Sequence, residues 1–186
     1  MMSTKILVIV AHPDDEVLGC GGIIAKHSAA GDEVYVLFLG KGRDDKYDQK
    51  FDTIPLLHFI QKIEQTIKRI EPWIIYTHCS SDINRDHRII HEAVLVATRP
   101  PSPVKELYAF DVTSDWAFGS FGSFQPNVFV EIDIDKKIGA MQAYKDELKS
   151  YPHPRSLEMI KVVAQKWGSV IGVEYAEAFE LVRWIK

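Results

Sequence analysis

Two apolar runs near the N-terminus place the strongest constraint on the fold. Residues Lys5–Val10 read KILVIV and residues Val34–Leu39 read VYVLFL, without the polar alternation of a strand that faces water on one side. Between them we expect a helix over Ile23–Ala30 that ends at Gly31. A buried strand, a helix and a second buried strand predict an α/β fold with a mostly parallel sheet.

The rest of the chain continues this alternation. Glycines 19, 21 and 22 are expected to permit a tight crossing from the first strand into the first helix. Further helices are expected after Pro55, from about Asp86 to Thr98, near 136–149 and near 156–167. Further strands are expected over 73–76, 105–112 and 127–132. The last element, over 178–184, is either a strand or a helix. The prediction is a single domain over residues 1–186, a Rossmann-like three-layer sandwich.

Composition narrows the class of protein. The 186 residues carry a net charge of −4 and no cluster of Lys and Arg, which argues against a nucleic-acid partner. The only cysteines, Cys20 and Cys79, are far apart in the sequence, which is typical of a reduced compartment rather than of a disulfide framework. No apolar run has the length of a membrane span, and no signal-type segment precedes the first strand. We therefore expect a cytoplasmic protein.

Charged clusters follow three of the predicted strands. Residues His12–Glu16 follow the first strand, Lys41–Asp45 the second and His78–His87 the third. In open α/β sheets, ligands bind in the crevice beyond the carboxyl ends of the strands. The sequence thus predicts one site built from these clusters.

The residue types in these clusters favour a divalent metal. A catalytic zinc takes three ligands from His, Asp or Glu and leaves one position open for water. The string HPDD offers His12 and a carboxylate three residues later, and two adjacent carboxylates are costly unless a cation lies between them. The string HCSSDINRDHRIIH offers further ligands, namely His78, Asp82, Asp86, His87 and His91. These residue types suit zinc, and they suit iron and cobalt as well.

Each motif also has a purely structural interpretation. An Asp of HPDD can cap the following helix, and Asn84 or Asp86 can cap the helix that carries His87. The string GCGG lacks the spacing of a dinucleotide-binding loop. The occurrence of both acidic and His clusters at neighbouring strand ends favours the metal site over these interpretations.

Two long strings together resemble a known family. AHPDDEVLGCGG, followed by THCSSDINRDHRIIHEAVLVATRP, resembles the zinc-dependent PIG-L/LmbE-like de-N-acetylases, which remove the acetyl group from N-acetylglucosamine-type compounds. YPHPRSLE and GVEYAEAFELVR also resemble the terminal portion of one bacterial branch. The resemblance implies a hydrolase that acts on a small N-acetyl sugar and assembles as a trimer or hexamer.

Carried over to this chain, the resemblance implies a role for each motif residue. His12, Asp15 and His87 become the zinc ligands, and Asp14 becomes the general base that activates water. Asp86 corresponds to the acid of the family's H-x-D-H motif, which orients an imidazole.

The chain departs from the family at the first position of that motif. Asn84 stands where His is frequent, and it can donate a hydrogen bond to an oxyanion but cannot titrate. Protonation of the leaving amine then falls to Asp14, or to another His such as His78 or His153. Asn84 is retained as a candidate catalytic residue.

A second departure concerns length. Only about a dozen residues join Gly40 to Asp52, where relatives usually carry an extra helix and strand. Arg43 and Arg155 are the candidate contacts to sugar hydroxyls or phosphate, because the guanidinium offers fork-shaped donors, and His78 and His153 join them as candidates.

Two other functions compete with the hydrolase. A metal-dependent phosphoesterase also uses His and Asp at strand ends, but it usually needs more ligands for two metals. A non-catalytic sugar-binding or assembly subunit is favoured by Asn84 and by the short middle segment.

Overall fold

A central sheet of six strands organises the molecule in the computed structural model, which describes residues 3–40, 50–112 and 122–186. The strands are β1 Lys5–Val10, β2 Glu33–Phe38, β3 Ile74–His78, β4 Glu106–Phe110, β5 Val128–Glu131 and β6 Ala176–Trp184. Their spatial order is β2-β1-β3-β4-β6-β5. The first four strands in chain order run parallel, and β6 is antiparallel to β4 and β5. The mostly parallel sheet is thereby confirmed.

Helices cover both faces of this sheet. They are α1 Asp15–Ala29, α2 Leu56–Ile70, α3 Arg85–Ala97, α4 Ile134–Met141 and α5 Leu157–Ile171. Helices α2 and α3 pack on one face, and α1, α4 and α5 on the other, each with its own apolar core. These layers confirm the predicted three-layer α/β fold. Among the described residues, no helix combines the length and apolarity needed to cross a membrane.

Strand β1 lies at the centre of both cores. The side chains from Ile6 to Val10 are completely buried, with Leu7 and Ile9 in one core and Val8 in the other. Full burial of each such side chain contributes roughly 1.5–3 kcal/mol. The prediction that KILVIV is a strand buried on both faces is therefore confirmed. The loop that follows it begins at a strand held between β2 and β3.

The prediction that β2 is buried is wrong. Tyr35, Val36 and Phe38 expose 37%, 37% and 38% of their surface. Within the described part of the chain, β2 is hydrogen-bonded to β1 alone and forms an edge of the sheet. An apolar run does not distinguish a central strand from an edge strand, because that difference depends on which elements pack beside it.

Helix α1 begins at Asp15, earlier than the predicted start at Ile23, so the glycines belong to a helix and not to a turn. A Cβ on Gly19 would lie 2.1 Å from Phe110 Cδ2, and one on Gly22 would lie 2.6 Å from Ile132 Cγ2. These glycines let α1 lie directly against the sheet.

A break in α1 is closed by a buried ion pair. Cys20 has non-helical angles, φ −143° and ψ 24°, and the N–H groups of Gly22 and Ile23 donate to the Glu177 carboxylate at 2.8 Å each. Lys137 Nζ lies 2.6 Å from the same carboxylate and compensates its charge. Residues from α4 and β6 therefore hold the N-terminal half of α1, which carries the candidate site.

Candidate metal centre and active site

The candidate ligands come from the carboxyl ends of two neighbouring parallel strands. His12 lies in the turn after β1, and Asp15 is the first residue of α1. His87 lies in the first turn of α3, which follows β3. Because β1 pairs with β3, both chain segments emerge at one edge of the sheet. The structure thus brings together the three residues that the family resemblance assigns to zinc.

The spacing of their donor atoms fits a tetrahedral metal. Asp15 Oδ2 lies 3.3 Å from His87 Nε2 and 3.5 Å from His12 Nδ1. Atoms bound tetrahedrally to zinc at its usual distances lie roughly 3.3 Å from one another. Asp15 and His87 are completely buried, and Asp15 Oδ1 has no hydrogen-bond partner among the described residues. A divalent cation bound by this carboxylate would compensate its buried charge.

Each imidazole is backed by a second carboxylate. His87 Nδ1 lies 2.7 Å from Asp82 Oδ2, and His12 Nε2 lies 3.1 Å from Asp86 Oδ2. Donation of the N–H to these carboxylates leaves the other ring nitrogen of each His directed at Asp15. This arrangement fixes the tautomer and the ring orientation of metal-binding imidazoles.

The charges of the site are strongly coupled. Burial opposes ionisation of Asp15, but the facing His87 and hydrogen bonds from His12 hold its pKa well below its usual range. Burial likewise opposes protonation of the two imidazoles, yet Asp15 with Asp82 raises the pKa of His87 to about 10, and Asp15 with Asp86 raises that of His12 to about 9. The cluster therefore attracts positive charge, which protons or a metal ion can supply.

Asp14 lies beside this cluster in an unusual conformation. Its φ of 108° falls in the left-handed region, which non-glycine residues rarely adopt, and the residue is almost completely buried. Burial and the charge of Asp15 raise the pKa of Asp14 to about 7, while Arg155 acts in the opposite direction. Arg155 Nη1 lies 3.0 Å from Asp14 Oδ2 and 3.2 Å from Glu147 Oε2. The arginine predicted to contact substrate thus contacts the candidate base.

Asn84 is the N-cap of α3. Its side-chain oxygen accepts the N–H of Asp86 at 3.0 Å, which confirms the structural interpretation of this residue. The side chain is half-buried. A catalytic role for Asn84 stays a prediction.

His78 is placed beneath the site. It is completely buried, and its ring stacks on His87 with centroids 3.9 Å apart. Its Nε2 accepts the N–H of Ala11 at 3.0 Å, and burial together with His87 lowers its pKa to about 4. His78 is thus a neutral imidazole that packs against His87. Because His78 is completely buried, its position argues against the predicted contact with substrate.

Two further predicted contacts remain. His153 is exposed, and its Nδ1 accepts the N–H of Arg155 at 3.0 Å. Arg43 lies outside the described residues. The substrate contacts of both residues stay predictions.

The sequence predicts Asp82 only as a possible metal ligand. Its Oδ1 accepts the N–H of Asn84 at 2.8 Å while its Oδ2 faces His87. An Asp two residues before a helix N-cap is a recognisable turn signal. That signal, however, does not reveal that the second oxygen reaches an imidazole.

Comparisons with known proteins confirm the family resemblance. The family model described as PIG-L, GlcNAc-PI de-N-acetylase, matches residues 7–52. An uncharacterized deacetylase of Escherichia coli, YaiS, is 24% identical over 174 residues, which cover 75% of this chain and 90% of the relative. Three quarters of 186 residues is about 140, so the alignment contains about 34 positions at which this chain has no residue. The aligned part of YaiS is thus longer than that of this chain, which is consistent with the short connection between Gly40 and Asp52.

Solved structures share the fold over nearly the whole chain. The conserved protein TT1542 of Thermus thermophilus aligns with a TM-score of 0.75 and 22% identity over 97% of this chain and 96% of its own. The N,N'-diacetylchitobiose deacetylase of Pyrococcus horikoshii aligns with a TM-score of 0.69 and 18% identity over 97% of this chain and 84% of its own. The 4-carboxy-2-hydroxymuconate hydratase GalB of Pseudomonas putida aligns with the same TM-score of 0.69 and with 19% identity. That alignment covers 99% of this chain and 98% of the hydratase. These similarities establish the fold, which carries more than one chemistry.

Proposed function

We propose that this chain, which resembles the PIG-L family in sequence and in fold, is a zinc-dependent hydrolase that removes the acetyl group from an N-acetyl amino sugar. The products are acetate and the free amine. The observation that carries the proposal is the buried Asp15 carboxylate with His12 and His87 nitrogens at 3.5 and 3.3 Å, beside a second carboxylate whose pKa is near neutrality.

His12, Asp15 and His87 would hold the metal. The ion that they would hold would supply Lewis acidity for activation of water and for polarisation of the acetyl carbonyl. Asp82 and Asp86 hold the two imidazoles in the required tautomer and orientation. Zinc is the proposed ion because three ligands from His and Asp with an open position are typical of catalytic zinc.

Asp14 acts as the general base. With a pKa of about 7, its carboxyl group exchanges a proton readily near neutral pH. It takes the proton from the attacking water and returns it to the leaving nitrogen, since Asn84 cannot titrate. The Arg155 guanidinium, 3.0 Å away, keeps part of the Asp14 population ionised and orients the carboxylate. Asn84 donates to the oxygen of the acetyl group as negative charge develops there.

The substrate class rests on the relatives. The matching family model describes a de-N-acetylase of an N-acetylglucosamine lipid, and a deacetylase of an N-acetylated disaccharide shares the fold. Arg43 and His153 are proposed to contact the sugar, because guanidinium and imidazole groups hydrogen-bond well to hydroxyls. We further propose a homo-oligomeric, cytoplasmic protein with no nucleic-acid partner.

A non-catalytic sugar-binding subunit is the second candidate. It is favoured by Asn84 in place of a titratable His and by the roughly 34 positions of the aligned relative that this chain lacks. Such a protein would bind the sugar without hydrolysing it.

The test is acetate release by protein reconstituted with zinc, with N-acetylglucosamine, its UDP-linked form and N,N'-diacetylchitobiose as substrates. We expect release that a chelator abolishes. Asp14→Asn should lower kcat by about 100-fold or more, the usual contribution of a general base, and should retain zinc. Asp146→Asn, an exposed carboxylate, is the matched control. Sugar binding without acetate from the folded, zinc-loaded protein would support the second candidate instead.

A further inference from the structure

We propose that Glu16 and Tyr144 are positioning residues that hold the strained peptide of Asp14 and thereby aim its carboxylate. This inference rests on the proposed function, in which Asp14 is the base. Neither residue touches the donor atoms of the metal site. Glu16 acts on the backbone of Asp14, and Tyr144 acts through Glu16.

The backbone of Asp14 needs an external restraint. With φ 108° and ψ −27°, it lies in a region that an L side chain rarely adopts. Its carbonyl accepts the N–H groups of Val17 and Leu18 at 3.0 and 2.9 Å, which start α1. Its own N–H donates to Glu16 Oε2 at 3.1 Å. Glu16 therefore binds the peptide N–H of a residue whose backbone conformation is unfavourable.

Glu16 is in turn held by a distant tyrosine. The Glu16 side chain is almost completely buried, and its Oε1 accepts the hydroxyl of Tyr144 at 2.6 Å. Tyr144 follows α4, which ends at Met141 rather than near the predicted Lys149. With one oxygen on the Asp14 peptide and the other on Tyr144, the buried carboxylate has its acceptor needs met on both sides.

The direction of the Asp14 carboxylate depends on this restraint. Relaxation of φ to an ordinary negative value would rotate the Cα–Cβ bond and move the carboxylate away from Arg155 and from Asp15. The ligand Asp15 has a separate anchor, because its Oδ2 accepts the N–H of His12 at 2.8 Å. Loss of the Tyr144 hydroxyl should therefore misplace the base while the metal ligands stay in position.

Tyr144→Phe tests this separation. We expect kcat to fall about 10-fold, as for other groups that orient catalytic residues, with KM and zinc affinity unchanged. Tyr108→Phe is the matched control, since its hydroxyl donates to Glu106 Oε2 at 2.7 Å in a similarly half-buried pair on β4. Equal loss in both variants, or zinc affinity that falls together with kcat, would overturn the inference.

Glu16 allows a conservative rescue. In Glu16→Gln the amide oxygen can accept from Asp14 while the amide nitrogen donates to the Tyr144 oxygen, so kcat should stay within about threefold of the wild type. Glu16→Leu removes both bonds and should match or exceed the loss in Tyr144→Phe. A Gln variant as impaired as the Leu variant would contradict the positioning role.

Hydrogen exchange of the Asp14 amide, followed by NMR, gives a readout independent of activity. We expect faster exchange at this amide in Tyr144→Phe and Glu16→Leu, and unchanged exchange in Tyr108→Phe. Wild-type protein that releases no acetate would refute the proposed function, and the exchange data would still decide whether Glu16 and Tyr144 hold Asp14. Unchanged exchange in all three variants would refute the inference itself.

Discussion

The contact between Asp82 and His87 gives the sharpest prediction about the metal site. Asp82 is 1% exposed, its Oδ2 lies 2.7 Å from His87 Nδ1, and its Oδ1 accepts the N–H of Asn84 at 2.8 Å. An Asn at this position can accept only one of these two N–H groups. The substitution Asp82→Asn therefore either frees the His87 ring to change tautomer or breaks the turn that leads into α3.

The expected magnitude follows from this loss. Removal of the group that orients a metal-binding imidazole weakens metal affinity by about 10- to 100-fold, or roughly 1.4–2.7 kcal/mol. In the metal-free protein, Asp82 is also one of the groups that raise the pKa of His87, so that pKa should fall in the variant. The weaker metal affinity follows from the lost orientation of the His87 ring, and the lower pKa follows from the loss of a negative charge next to Nδ1.

Zinc affinity is measured by competition with a chelating dye at fixed pH. Asp32→Asn is the matched control, because Asp32 Oδ2 lies 2.8 Å from His27 Nδ1 and its Oδ1 accepts the N–H of Thr4 at 3.0 Å, at a distance from the site. We expect Asp32→Asn to bind zinc like the wild type. Unchanged affinity in Asp82→Asn, or equal weakening in the control, would refute the reasoning.

Two further predictions concern packing and pH. Gly19→Ala should lower the free energy of unfolding, measured by urea titration, by about 3 kcal/mol or more, because its Cβ would overlap the Phe110 ring. Gly139→Ala is the control: its Cβ has open space around it, so this variant should raise the free energy of unfolding by up to about 1 kcal/mol. In metal-free protein, the raised pKa values of His12 and His87 stabilise the fold fully below pH 6.5, and this contribution is lost as pH rises to about 9–10. Zinc-loaded protein should not show that loss.

The sequence predicts the general position of the site well. The run KILVIV predicts a strand covered on both faces, and the structure buries Ile6–Val10 completely, although the similar run at β2 forms an exposed edge. The polar cluster after such a strand must lie at the sheet edge where ligands gather. For this reason the clusters that contain His12, Asp15 and His87 could be grouped from the sequence, whereas the choice of these three as ligands came from the family resemblance.

Pairings within the site could not be predicted in the same way. Sequence spacing does not show that Asp82 backs His87 while Asp86 backs His12, since the two acids lie only four residues apart, Asp82 just before α3 and Asp86 in its first turn. The contacts of Arg155 and Tyr144 with residues 14 and 16 join positions more than 120 residues apart. Such contacts depend on how the segment after α4 folds back over α1.

The sequence by itself determined the α/β class, the first strands and the polar clusters that follow them, because apolar runs and the alternation of strands with helices are local properties of the chain. Only the tertiary structure decided that β2 is an exposed edge, that the glycines of α1 serve close packing, that Arg155 contacts Asp14 and that Tyr144 contacts Glu16. These outcomes depend on which distant elements become neighbours, and no local pattern of residues encodes that choice.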